Sequence, residues 1–217
     1  MLSFYSASGR IVNTQRAVQE VLESAMGNDF SSADLLIFHA SIGHDYKVLL
    51  DEAKRMCPNA RVLAASCCGV VGKEGVSESM KDIAVMGIKG SEFVVESTDG
   101  IYGSNAYEKT KEMALSMKSK DANVNMIYLL VSGIDIDNNA CIRAIEEVFG
   151  KEVTIFGATS SDNMRGVVSY QGIDDQVFEH AAYMVGFSDP SLSVETQATH
   201  GFVAIGEPLL VTKATGH

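Results

Sequence analysis

Arg61-Val62-Leu63-Ala64-Ala65-Ser66-Cys67-Cys68-Gly69 is an apolar run that stops at small polar residues and a glycine. Such a run reads as a buried strand ending in a tight turn, where backbone N–H groups and small nucleophilic side chains become accessible. In open α/β sheets ligands settle outside the carboxyl ends of strands, where loops from neighbouring strands converge. The chain repeats this build: Lys151-Glu152-Val153-Thr154-Ile155-Phe156 is followed by Gly157, Ala158, Thr159, Ser160, Ser161 and Asp162.

The echo extends in both directions. Residues 34–41 precede the first turn as residues 125–132 precede the second. Asp45 can cap a helix whose Val48, Leu49, Ala53 and Met56 share one face, with Pro58 beyond its end. Asp137 can cap another carrying Ala140, Cys141, Ala144, Ile145 and Val148, closed by Gly150. Past the turns, strand-like residues 83–88 and 93–97 match 181–187 and 192–196. The pattern predicts an α/β (α+β) fold in which a β-α-β-β-β unit is duplicated, at about residues 34–97 and 125–196, with pseudo-two-fold symmetry. Each helix has one apolar face, so the helices belong outside and mixed sheets in the middle. One continuous sheet and two sheets packed face to face, an αββα sandwich, both satisfy this. The alternating segments between residues 177 and 211 favour the sandwich.

Elsewhere, residues 2–8 read as a short strand, and Asn13 caps a helix with Ala17, Val18, Val21, Leu22 and Ala25 on one face, ended by Gly27-Asn28. Residues 69–80 are rich in Gly, Ser and Glu without periodicity, which predicts a loop over the ligand end of the sheet, either a lid or an idle connection. Asn105 with Glu108 reads as a capping box for a helix that buries Met113, Ala114 and Met117. The tail alternates as strand over residues 195–215, broken at Gly201 and at Gly206-Glu207-Pro208. Thr215-Gly216-His217 closes no element, so the expectation is a leading part of a longer protein.

A hydrophobic content of 46% with 3 prolines gives enough material for one domain or two intimately packed halves. A net charge of −11, with the 17 basic residues scattered, argues against a nucleic-acid surface or an anionic membrane. No apolar run approaches the roughly 20 residues of a membrane span, and Met1-Leu2-Ser3-Phe4-Tyr5 lacks the features of a signal peptide. The expected location is the cytoplasm, where Cys57, Cys67, Cys68 and Cys141 stay reduced. They show neither C-x-x-C spacing nor a paired histidine cluster, so no structural metal is expected, and no cofactor.

His200-Gly201-Phe202-Val203-Ala204-Ile205-Gly206, with Val211-Thr212 further on, resembles the signature that closes the N-terminal part of FIST sensory domains. That signature is commonly His-Gly-Trp-x-Pro-Ile/Val-Gly and then a Val-Thr pair; here Phe202 stands for Trp and Ala204 for Pro. Ala65-Ser66-Cys67-Cys68-Gly69 is similar to the family's small-Ser-Thr-x-Gly turn, with Ala64 where the family usually has Gly. The turn from Phe156 through Asp162 fits more closely. The resemblance covers nearly the whole chain in order. It implies a prokaryotic intracellular sensory module that binds small ligands such as amino acids, followed by a C-terminal FIST part and often joined to signalling domains. It leaves a homo-oligomer open.

Residues after strand ends make up the candidate ligand site: Ser41, Gly43 and His44; Ser66, Cys67, Cys68 and Gly69; Ser132 and Asp135; Gly157, Thr159, Ser160, Asp162 and Arg165; and His200. Ser66, Cys67 and Cys68 suit ligand contact and equally the close packing of a strand on a helix. Asp162 and Arg165 match an amino acid, a carboxylate for its ammonium group and a guanidinium for its carboxylate, and they also suit a surface ion pair. His39, flanked by Phe38 and Ala40, reads as a core histidine, whereas His200 before Gly201 fits a ligand approach or plain turn chemistry. The favoured function is a sensor that performs no reaction. A second is a cysteine-dependent hydrolase or amidotransferase, because small-x-Cys-x-Gly is the build of a nucleophile elbow and His180 or His200 could activate Cys67. A third is a scaffold that dimerises with a partner signalling domain.

Overall fold

The computed structural model describes residues 1–72, 75–163, 165–192, 194–195 and 200–213. Two runs with the same order of elements follow one another. The first is β1 (Ser3–Arg10), α1 (Thr14–Met26) with a 3-10 turn (Gly27–Ser32), β2 (Leu35–Ser41), α2 (Tyr46–Met56), β3 (Arg61–Cys67), the hairpin β4 (Val70–Gly72) and β5 (Gly75–Ser77), and β6 (Asp82–Lys89). The second is β7 (Phe93–Asp99), α3 (Ala106–Lys120), β8 (Met126–Val131), α4 (Asn138–Phe149), β9 (Thr154–Thr159), the hairpin β10 (Gln171–Ile173) and β11 (Gln176–Phe178), and β12 (Ala181–Phe187).

Two mixed sheets result, in the orders β1-β6-β2-β3-β10-β11 and β7-β12-β8-β9. In both, a parallel pair (β2/β3, β8/β9) is bridged by a helix, and the last strand of the run inserts antiparallel beside it. The connectivity therefore matches run for run, but its boundaries are not those of the expected units. β7, the last strand of the stretch 34–97, pairs with β12 in the second sheet. Among the described residues of 192–196, Leu192, Val194 and Glu195 form no strand.

Strand alternation shows how the layers stack. Leu36, Phe38, Ala40, Val62 and Ala64 pack against α1 and α2. Ile127, Leu129, Val131, Ala182 and Met184 pack against α3 and α4. The intervening residues Leu35, Ile37, Leu63 and Ala65 meet Met126, Tyr128, Leu130, Tyr183, Val185 and Phe187 between the sheets. This is an αββα sandwich, and its central strands are apolar throughout because both faces are covered.

Local signals explain most helix ends. The side chains of Asn13, Asp45 and Asp137 accept from the backbone N–H groups of Arg16, Val48 and Ala140. The expected capping box at Asn105 does not form: its side-chain oxygen accepts instead from Tyr102 N (2.7 Å) and its amide donates to the Gly100 carbonyl (3.0 Å), folding the preceding turn. The expected loop at 69–80 contains the β4–β5 hairpin. The expected strand in the tail is absent among residues 200–213, which are exposed; residues 196–199 and 214–217 lie outside the described residues.

Leu130 is fully buried between the sheets, whereas Leu115 on α3 is 52% exposed. Leu130→Ala should lower the unfolding free energy by about 2–5 kcal/mol in urea titrations, and Leu115→Ala should change it by no more than about 0.5 kcal/mol. Equal effects would contradict the layering.

Candidate functional site

The turns at the carboxyl ends of the parallel strands are bonded to one another across the two halves. Ser161 N donates to the Ser66 carbonyl (2.8 Å), and Cys68 Sγ lies 3.1 Å from Ser161 Oγ. Ser66 Oγ accepts from Tyr170 N (2.9 Å). In the second half Ser132, Ser160, Ser169 and Gln171 are all buried and form a closed network. Gln171 Nε2 donates to Ser160 Oγ (2.6 Å), Ser160 Oγ donates to Ser169 Oγ (2.9 Å), Gly133 N donates to Ser160 Oγ (3.2 Å), and Gln171 Oε1 accepts from Ala181 N (2.8 Å). A Cβ on Gly133 would fall 1.6 Å from the Ser160 carbonyl oxygen, so only glycine allows this approach. These hydroxyls satisfy buried backbone, which is a structural duty.

Asp162 is buried and its carboxylate accepts from four backbone N–H groups, those of Val167, Val168, Gly166 and Arg165, at 2.7–3.1 Å. These bonds hold its pKa down at about 2. They also occupy the acceptor capacity that an ammonium group would need. Arg165 is exposed, and among the described residues no ion pair joins it to Asp162. The expected two-charge clamp is thus replaced by a side chain that folds its own loop. Gly157, Thr159 and Asp135 are exposed, Asp135 with a left-handed φ of 64°.

Burial pushes the Cys67 thiol up to about 11, away from the lowered value that favours a thiolate nucleophile. Of the two histidines considered for it, His180 lies tilted against Tyr102, with centroids 4.6 Å apart and its buried Nδ1 without a hydrogen-bond partner among the described atoms, and His200, exposed, accepts from Phe202 N (3.2 Å). Near the end of β2, Ser41 Oγ is buried without a partner among the described atoms. His44 Nδ1 meets Thr14 Oγ1 (3.2 Å) while its Nε2 finds no partner of good geometry. Burial lowers the His44 pKa against the opposing pull of the Lys81 and Asp82 backbones. Gly43 and Gly69 sit where the chain abuts the Met80 and Ser77 carbonyls.

Of the expected site residues, Gly157 and Thr159 border an open groove of about 340 Å³ beside β9; further open space lies away from the turns. A cavity of about 270 Å³ opens between the sheets beside β1, walled by Ser6, Ser8, His39, Tyr128, Ala84 and Met86 and roofed by Val71 and Gly72 of the hairpin. The register explains the wall: Ser6 lies opposite Met86, Ser8 opposite Ala84, and Ala84 opposite His39, so all five share the inter-sheet face. His39 Nε2 is 2.9 Å from the Tyr128 hydroxyl of the other sheet. Burial lowers the His39 pKa, which keeps the imidazole neutral at pH 7. Across Ser8 a second cavity of about 400 Å³ extends along Gly9 and Arg10 beneath Val70, Gly75 and Ser77. Arg10 is held there by Asp82 (Nε to carboxylate 3.7 Å) and by the Val76 carbonyl (3.4 Å). Asp82 is buried and takes bonds from Ser77 Oγ (2.7 Å) and Ser79 N (2.6 Å).

Ser6, Ser8, Arg10 and Tyr128 are not among the expected site residues, and His39, expected as a core histidine, is indeed bonded between the sheets while also bordering the cavity beside β1. The one signal in reach was Ser6-Ala7-Ser8, two small hydroxyls on the same face of a strand.

The family model for the FIST N domain matches residues 34–217. The chain belongs to the FIST family. Its members are sensory, ligand-binding domains of signalling proteins. No curated protein matches the chain. In this FIST domain the matched stretch begins just before β2, so it includes His39, Tyr128 and the hairpin, while β1 precedes it. Among the described residues no cluster of His, Cys, Asp and Glu is placed to hold a metal ion, and no helix is long and apolar enough to cross a membrane.

Asp162 tests which role its carboxylate has. Its folded pKa of about 2 lies below the ordinary 3.8, so its stabilisation is complete above about pH 4 and is lost as pH falls through about 2. Asp162→Asn should melt at lower temperature than the parent near neutral pH and converge with it at strongly acid pH, while Arg165→Ala melts unchanged. An unchanged melting temperature in Asp162→Asn would contradict the loop role.

Proposed function

We propose that this FIST domain is a cytoplasmic sensor that binds a small molecule bearing a carboxylate, an amino acid or a simple carboxylate anion, in the cleft between β1, the β4–β5 hairpin and the His39–Tyr128 pair. One observation supports this above the rest: the contact between the sheets is apolar at its centre, yet beside β1 it opens into a cavity whose walls carry two serine hydroxyls and a histidine–tyrosine pair. Pockets of this kind, mostly apolar with a few convergent polar groups, are the usual small-molecule sites. Ile37, Ala84 and Met86 suit an apolar body, and Ser6, Ser8, His39 and Tyr128 offer neutral donors and acceptors. Arg10, at the far side of Ser8, is the cation for a carboxylate, and Asp82 orients it.

No chemical step is part of the proposal, and the high pKa of Cys67 agrees with that. The hairpin is the element through which occupancy reaches the rest of the molecule, since it covers both cavities and a Cβ on Gly72 would collide with Ser8 Oγ at 1.9 Å. Signalling partners joined to the domain would read that change.

Calorimetric titration with single amino acids and small carboxylates tests the site. For a ligand so identified, Arg10→Ala and Tyr128→Phe should each weaken binding roughly tenfold or more, the cost of losing one hydrogen bond to a charged or buried group. Arg165→Ala should bind as the parent does. Undiminished binding in both Arg10→Ala and Tyr128→Phe would remove the ligand from this cleft.

A further inference from the structure

Among the described residues the second sheet ends at β9, which has β8 as its neighbour and an open edge on the other side. Thr154 N donates to the Asn125 carbonyl (3.1 Å) and Ser160 N to the Val131 carbonyl (2.9 Å), both toward β8. Alternate residues therefore turn their backbone groups the other way: Ile155, Gly157 and Thr159 direct N–H and C=O to the open edge. The equivalent strand of the first sheet is not open, because β10 pairs antiparallel with β3 at Leu63, Ala64 and Ala65. β10 belongs to the hairpin that follows β9, so the second run covers the edge of the first. The first run does not reciprocate, since its hairpin folds over β1 instead.

Open edges are normally blunted by charge, proline or brevity. β1 ends in Arg10, β7 carries Glu96 and Asp99, and β11 has three residues. β9, Thr-Ile-Phe-Gly-Ala-Thr, has no such protection. Beside it a groove of about 340 Å³ runs between the strand and α4, lined by Leu129, Val131, Ile142, Ile155 and Thr159. The complementary need is found in the tail, where Phe202, Val203, Ile205, Leu209, Leu210 and Val211 are each at least 78% exposed. Its stretch Phe202-Val203-Ala204-Ile205 alternates without a charge, as β9 does.

We propose that residues 202–205 add as a strand to the open edge of β9, pairing with Ile155, Gly157 and Thr159 and sending alternate side chains into the groove against Ile142. The reach is ample. β12 ends at Phe187 opposite Met126 of β8, so the new position lies roughly 10–15 Å away at about 4.8 Å per strand. The 14 residues 188–201 can span up to about 46 Å. The occupant is the chain's own segment, and a second copy or a foreign strand is a different outcome of the test.

Amide hydrogen exchange by NMR on the 217-residue chain decides it. The Ile155, Gly157 and Thr159 amides should be protected in the parent and exchange at least tenfold faster in Val203→Lys and Ile205→Lys. Both changes are at exposed positions, so the core stays folded, and the Phe156 and Ala158 amides bonded to β8 serve as the internal control. Thr159→Pro, which removes one outward N–H, should speed exchange in residues 203–205. Loop-like exchange at the three amides of the parent would overturn the proposal. So would protection that disappears on dilution together with a dimer-to-monomer change in light scattering, because the strand would then come from another copy.

Discussion

Leu35, Ile37, Leu63 and Ala65 of one sheet press against Met126, Leu130, Tyr183 and Val185 of the other, and the rest of the molecule depends on this largely apolar contact. A buried Leu or Ile is worth about 1.5–3 kcal/mol, so the layer supplies much of what holds the halves together. It also dictates composition. A strand in such a position cannot alternate apolar with polar, because one face meets helices and the other meets the opposite sheet. That is why the stretch Arg61–Cys67 is apolar until its last residues, and why each helix needs only one apolar face.

The same contact decides where space is left between the sheets. Where the sheets are in full register the space between them is filled by Tyr183, Phe187 and their neighbours, all fully or nearly fully buried. The six-stranded sheet is wider than the four-stranded one, and its β1 side lies beyond the packed centre. There the wall facing the other sheet carries Ser6 and Ser8, and the gap is bridged by the His39–Tyr128 hydrogen bond. A buried polar pair of this kind is stable only when both members are satisfied, so it fixes the spacing of the sheets at the mouth of the cavity. At the strand-end turns, by contrast, Ser66, Cys68 and Ser161 bond across the two halves, and the Ser160 hydroxyl bonds to Ser169 within the second.

The periodicities of residues 34–41, 61–67, 125–131 and 181–187, with the caps at Asn13, Asp45 and Asp137, made the elements and the sandwich legible. Spacing alone could not tell that the stretch 93–99 opens the second run rather than closing the first, since a strand's own residues do not name its partner; the pairing with β12 does. The site was harder for the same reason. Small hydroxylic residues at a strand end are compatible with a ligand and with a closed hydrogen-bond network, and Ser160 and Asp162 turned out to have their partners within the chain. His39 looked like core from its apolar neighbours. The residue that makes it part of a cavity, Tyr128, is 89 positions away in sequence.

The central claim is that the polar cavity between the sheets, and not the turn network, receives the ligand. Its most direct measurement is NMR of the His39 imidazole and of the backbone during titration with an amino acid or carboxylate that binds. The account predicts saturable shifts of the His39 ring and of Ser6, Ser8 and the hairpin amides, with residues 160–168 unmoved. Shifts confined to the turns around Ser66 and Ser160, with the His39 ring silent, would contradict it.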